Sequence, residues 1–476
     1  MITSPQVQLP SEMRANLQRR FKWMAVLINV CAAFGVYGVS TTMPAVAQVL
    51  HGYGLYAVAF GVPVAAQLAA NVLSAIICDR RGPILPFLIG LVLTAAGMAI
   101  CGFATSMPLF VLGRALDGAG AGLTIVANYV MISELIPSEK QPSIFGAISM
   151  AWVLPSLIGP LLAAVITENS SWRAVYLGIF GIVVASLGFI VPTLRALPLR
   201  RGPVGALIAE GDARLTPQVG SAPDRARPMT RRERVTVGVG LVVAVLAAAL
   251  QVAGSKETQL PPHVRYPLMF ALIVVIVAAV PLLLPRGTLR AKPGLPAIVM
   301  TRAWLVGSFF ASEMFLPYFL HSHGWSLTAA GMVLTAGSIS WSIGSLTQGR
   351  LSPRLVAQAP IVGAMVLVCG IALTAGAAAN WLPLLVVVAG WFIAGFGVGL
   401  SFPALAVLGL KRAEAGKSGE ASGAMQVGDT LGIAVTIALT GALQAALNPP
   451  ASFAVPIAAC AAVAALTTLL ARRTLA

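Results

Sequence analysis

Fourteen apolar runs of nineteen to thirty residues divide this chain: 23–49, 55–78, 84–105, 108–135, 143–166, 174–193, 235–253, 266–285, 295–320, 327–347, 359–379, 381–410, 420–446 and 452–471. About 20 apolar residues is the length at which an α-helix crosses the hydrocarbon core of a bilayer. Only 10% of the 476 residues are charged and 58% are apolar, whereas soluble domains are about 25% charged. The predicted fold class is an all-α polytopic membrane protein with about 14 transmembrane helices.

The net charge of +16 would point to nucleic acid in a soluble protein. Here the basic residues punctuate apolar runs, so no nucleic-acid partner is expected. Arg14, Arg19, Arg20 and Lys22 precede the first run; Arg80 and Arg81 follow the second and Lys140 the fourth. A dense group from Arg195 to Arg234 follows the sixth, Arg286, Arg290 and Lys292 the eighth, and Arg350 and Arg354 the tenth. Lys411, Arg412 and Lys417 follow the twelfth, and Arg472 and Arg473 end the chain. The intervening loops hold little beyond Arg173, Lys256 and Arg265. This alternation fits the positive-inside rule with both termini cytoplasmic. The first run is too long for the h-region of a signal peptide, so residues 1–22 are expected to be a retained cytoplasmic tail.

An internal repeat is visible. Asp117-Gly-Ala-Gly-Ala-Gly-Leu123 resembles Ala394-Gly-Phe-Gly-Val-Gly-Leu400, with Gly118 aligned to Gly395 (395 − 118 = 277). The same shift carries Gly146-Ala147 to Gly423-Ala424 and Leu154 to Leu431. Residues 23–193 and 286–471 are therefore expected to be duplicated six-helix halves, with two inserted helices at 235–285. The Pro-, Gly- and Arg-rich stretch 194–234 is expected to be a cytoplasmic linker, and 472–476 a cytoplasmic tail. Paired halves around a central site are a transporter architecture. The inserted helices carry almost no polar residues and are expected to be peripheral.

Four local patterns sharpen this. After the second run stands Ala75-Ile-Ile-Cys-Asp79-Arg80-Arg81-Gly82; the fourth holds Arg114-Ala-Leu-Asp117-Gly118-Ala-Gly120; the fifth holds Pro155-Ser-Leu-Ile-Gly159-Pro160-Leu-Leu-Ala163-Ala164; Ser171-Trp172-Arg173 precedes the sixth. In order they resemble the G-x-x-x-D-R-x-G loop, the R-x-x-Q-G-x-G motif, the exporter motif G-x-x-x-G-P-x-x-G-G and the Trp-Arg of the major facilitator superfamily. The fourteen-span drug:proton antiporters are the branch it looks like. The resemblance implies a gating loop at Asp79, Arg80 and Gly82, and an exporter motif at Pro155, Gly159 and Pro160. Departures are Ala75 for the first loop glycine, Asp117 for the family's glutamine, and no acid in the first run.

Intramembrane charge is costly and marks function or a partner. Arg114 and Asp117 share a helix face at i, i+3; they read equally well as a proton site or as a structural pair. Glu313, in the middle of the ninth run, has no basic residue at i±3 or i±4 and is the second proton-coupling or cation-binding candidate. Asp429 is the third. Tyr37, Asn128, Trp152, Trp341 and Trp391 are candidates to line a cavity, or to be packing residues. The five cysteines fall singly, and His321 and His323 lack a third ligand, so no metal site is expected. No cofactor is expected, no enzyme site appears, and no P-loop supplies ATP.

The function expected from this resemblance is proton-coupled export of lipophilic or cationic drugs by alternating access. The partners are a small-molecule substrate, protons and membrane lipids, and the protein acts as a monomer in the plasma (inner) membrane. Two alternatives remain open on the sequence: an exporter of an endogenous lipid, sugar or amino acid derivative, and a non-transporting scaffold or receptor.

Overall fold

The computed structural model describes residues 11–136, 141–196, 231–255, 260–412, 418–447 and 451–474. They form fourteen long helices: α1 Ser11–Val49, α2 Tyr56–Arg81, α3 Ile84–Phe103, α4 Met107–Leu135, α5 Gln141–Asn169, α6 Trp172–Ala196, α7 Arg231–Gly254, α8 Pro262–Leu283, α9 Leu295–Ser322, α10 Leu327–Gly349, α11 Pro353–Ala378, α12 Val386–Lys411, α13 Ser418–Ala446 and α14 Ala451–Ala471. Among the described residues, twelve of them are long and apolar enough to cross a membrane, and Leu154–Asn169 of α5 and Gly238–Gly254 of α7 are shorter apolar stretches. Most of the expected linker 194–234 lies outside the described residues. The expected N-terminal tail is partly helical, because 11–22 contains neither Gly nor Pro and nothing breaks the helix before Phe21 and Met24 bury.

Short connections make neighbouring helices antiparallel. Arg81, Arg286–Lys292, Arg350, Lys411 and Arg472–Arg473 therefore share one end of the bundle, the basic face. Gly82 closes α2 there at φ +79, a conformation that favours glycine.

The alternate glycines of α4 are explained by two neighbours. Gly118 and Gly122 face α2, where a methyl group would strike the carbonyl oxygens of Pro63 and Gln67. Gly113 and Gly120 face α3, where it would strike those of Gly97 and Gly90. Small residues let backbones meet where lipid supplies no hydrophobic drive. The last six helices repeat this, with Gly390 against Gly370 and Gly397 against Gly363. The shift is 277 on α4/α12 (390 − 113) but 273 on α3/α11 (370 − 97). The difference of four lies in the connection: three residues (104–106) join α3 to α4, and seven (379–385) join α11 to α12.

Of the two inserted helices, one departs from the expected peripheral placement. α8 is mostly exposed, but α7 packs against both α2 and α13. Gln251 on α7 is buried and its Nε2 donates to the Ala434 carbonyl at 2.8 Å. A single amide in an apolar helix has to find an internal acceptor, which draws that face inward.

Candidate functional site

Among the described residues, each six-helix group holds one buried arginine–aspartate pair. On α4, Arg114 Nη1 donates to Asp117 Oδ2. Arg114 lies seven residues from the helix start, about 10 Å below the face opposite the basic one. Its Nε has no partner among the described residues. On the other side, Arg302 of α9 grips Asp429 of α13. Its Nε donates to Oδ1 and Oδ2 and its Nη2 reaches Oδ2, all at 2.9 Å. The guanidinium carbon lies 3.9 Å from the Phe402 ring centroid. Arg302 is seven residues into α9, about 10 Å from the basic face. The two pairs thus sit at opposite depths.

Arg302 carries no local signal beyond being an arginine inside an apolar run. Its partner is 127 residues away. The repeat could have found it: Asp429 corresponds to Trp152 (429 − 152 = 277), and Trp152 Nε1 donates to Asn29 Oδ1 at 3.1 Å. With the 273 shift, Asn29 corresponds to Arg302. A neutral pair in one group stands where an ion pair stands in the other.

Glu313 is different. It is buried on α9 with Ser40 of α1 in hydrogen-bonding reach, and neither ion pair among the described residues involves it. On the same α1 face, Tyr37 bonds Ser156 of α5. Glu313, Ser40, Tyr37 and Ser156 thus join the first six helices to the last six at the middle of the bundle. Glu313 lies nine residues before the end of α9 and Ser40 nine before the end of α1, so they meet at one depth.

Beyond this level the two groups close on each other towards the opposite face. Tyr56 Oη donates to the Met314 carbonyl at 3.2 Å, and Tyr53 stacks on Tyr318 at 5.0 Å. Pro160, from the exporter-like motif, presents its carbonyl to Gly331 of α10, where a methyl would sit 2.9 Å away. Gly159 faces Tyr37 and Phe34 of α1. At the rim, Glu168 accepts from the Thr328 backbone N at 2.9 Å and from its hydroxyl, at the first turn of α10.

The remaining expected residues scatter. Trp391 is fully buried and stacks on Phe309 at 4.5 Å, with Trp341 at 5.2 Å from the same ring; both pack a core cluster. Asn128 is buried and its Oδ1 has no partner among the described residues. The Asp79 and Arg80 side chains lie outside the described residues. His321 and His323 bond the nearby carbonyls of Trp325 and Phe319.

The chain matches the Major Facilitator Superfamily over residues 25–437 and 307–475, and it belongs to that family. It is 24% identical over 422 residues to Multidrug resistance protein 3 of Bacillus subtilis (strain 168), covering 85% of this chain and 75% of that protein. It is 26% identical over 360 residues to a probable multidrug-efflux transporter of Mycobacterium tuberculosis, covering 72% and 69%. Among solved structures, a POT family transporter in complex with 5-aminolevulinic acid superposes with a TM-score of 0.66 at 14% identity, covering 95% of this chain and 96% of that one. The nucleoside transporter NupG gives 0.62 at 12% identity, covering 96% and 99%. At these identities the structures share the fold alone. The protein is a multi-pass membrane protein of a transporter family.

Proposed function

We propose that the protein exports lipophilic or cationic compounds in exchange for protons, by alternating access, as a monomer in the plasma membrane with the basic face and both termini cytoplasmic. The observation that carries this reading is Glu313: a buried acid with no arginine, placed where the two six-helix groups meet. An acid held by a guanidinium has its charge answered locally. An acid opposed only by hydroxyls depends on which side water reaches it from. Glu313 is therefore assigned the proton, and Asp117 and Asp429 are assigned to fixing helix positions through Arg114 and Arg302.

The closure around Tyr53, Tyr318, Pro160 and Glu168 supports a form open towards the basic face. In the cycle, residues 23–193 would rock against 286–471, exposing Glu313 to one side and then the other. The names of the two multidrug relatives support the substrate class. The gating role of Asp79, Arg80 and Gly82 at the end of α2 belongs to the same proposal.

The test is gradient-driven accumulation of ethidium in everted vesicles. Glu313→Gln should abolish it at unchanged expression, whereas Asp117→Asn should reduce it only as far as it reduces folded protein. Full accumulation by Glu313→Gln would remove Glu313 from the mechanism.

A further inference from the structure

We infer that the cleft between the end of α8 and the start of α9 binds the headgroup of an anionic phospholipid. A cavity of about 320 Å³ opens there at the basic face, walled by Val280, Pro281, Pro285 and Leu289 and rimmed by Arg290 and Lys292. The backbone builds it through two left-handed residues, Gly287 at φ +93 and Ala291 at φ +43. A methyl group on Gly287 would fall 2.7 Å from the Lys292 side chain, so glycine leaves room for that side chain over the cleft.

The charge around the cleft has one sign. The turn Arg472–Thr474 is tied beside it by Arg473 Nη1 donating to the Arg290 carbonyl at 2.7 Å. Arg286, Arg290, Lys292, Arg472 and Arg473 are all exposed. No acid occurs in 281–312 or in 430–476, and neither ion pair among the described residues involves these five cations.

The apolar side of the site points to a lipid rather than a soluble anion. α8 exposes Phe270, Val274 and Val277, which with Pro281 follow at i, i+4, i+7 and i+11 on one face. That stripe ends at the cleft wall. A phosphate at the cationic rim would leave its acyl chains lying along it. Basic pockets between helices at a membrane surface recognise anionic headgroups in this way. The inference is independent of the transport reading, because it rests on no step of the cycle.

The test uses full-length protein in nanodiscs containing equal phosphatidylglycerol and phosphatidylcholine, with the lipids retained after detergent extraction counted by native mass spectrometry. Wild type should retain phosphatidylglycerol preferentially, by roughly tenfold, and raised salt should erode that preference. Arg290→Gln with Lys292→Gln should bring retention to the phosphatidylcholine level, while Arg350→Gln with Arg354→Gln on another basic loop should leave it unchanged. Val274→Asn with Val277→Asn, which alters no charge, should also weaken retention. Equal retention of the two lipids by wild type overturns the inference, as does equal loss in both arginine-loop variants. Displacement of the lipid by inorganic phosphate alone would show a soluble-anion site and overturn it too.

Discussion

Removing Asp429 should destabilise the protein far more than removing its counterpart in the repeat. The Asp429 and Arg302 side chains are 8% and 9% exposed, so Asp429→Ala leaves a guanidinium buried without its acceptor. Breaking such a pair from one side costs about 3–5 kcal/mol. The Phe402 ring lies beneath the cation in wild type and variant alike, so it offsets none of this, and the expected loss stays at about 3–5 kcal/mol. Trp152→Phe loses one neutral hydrogen bond to Asn29, worth about 0.5–1.5 kcal/mol. Replacing both charges, Arg302→Met with Asp429→Leu, should restore stability to within about 1 kcal/mol of wild type, since well-packed apolar pairs match buried ion pairs. The assay is reversible unfolding in mixed micelles with increasing dodecyl sulfate, followed by tryptophan fluorescence, with wild type, Arg302→Met, Asp429→Leu and the double variant completing a double-mutant cycle. Additive losses, or an Asp429→Ala cost no larger than that of Trp152→Phe, would refute the pairing as a stabilising contact.

Further outcomes follow from other contacts. Gly97→Val should destabilise by several kcal/mol, about 3 or more, because a side chain there would meet the Gly113 carbonyl at 2.6 Å; yield and melting temperature read this. Glu168→Gln replaces charge-assisted bonds to Thr328 by neutral ones, about half as strong. Cysteines placed near Tyr53 should then label faster from the face opposite the basic one, and unchanged labelling would deny Glu168 a part in the closure. Gln251→Leu removes the bond to the Ala434 carbonyl and should cost about 1 kcal/mol, measured in the same unfolding assay; a cost near zero would mean α7 is held by packing alone.

Much of the architecture was legible because a bilayer leaves few choices. Apolar runs of bilayer length become helices whatever their neighbours, so each of the fourteen runs has its helix. The Arg114–Asp117 pair was legible because i, i+3 is a local relation. Arg302 was not, since its partner lies on a helix far along the chain and only the repeat brings Trp152 and Asp429 into register. The packing of α7 is not legible because its composition is that of a lipid-facing helix; Gln251 is the apolar segment's one polar signal for a buried face. Glu313 was singled out for lacking a basic neighbour, but its facing Ser40 depends on how α1 meets α9, which no local pattern encodes. The offset of 277 visible in the sequence holds on α4/α12, and the shorter 104–106 connection makes it 273 on α3/α11.

The central claim is that Glu313 carries the proton, and proton movement tests it most directly. Purified protein would be sealed into liposomes holding a pH-sensitive dye, with no gradient imposed, and a lipophilic cation added to one side. Wild type should move protons opposite to the cation, and Glu313→Gln should move none while still binding the cation. Substrate-driven proton movement that persists in Glu313→Gln would contradict the account and return the role to Asp117 or Asp429.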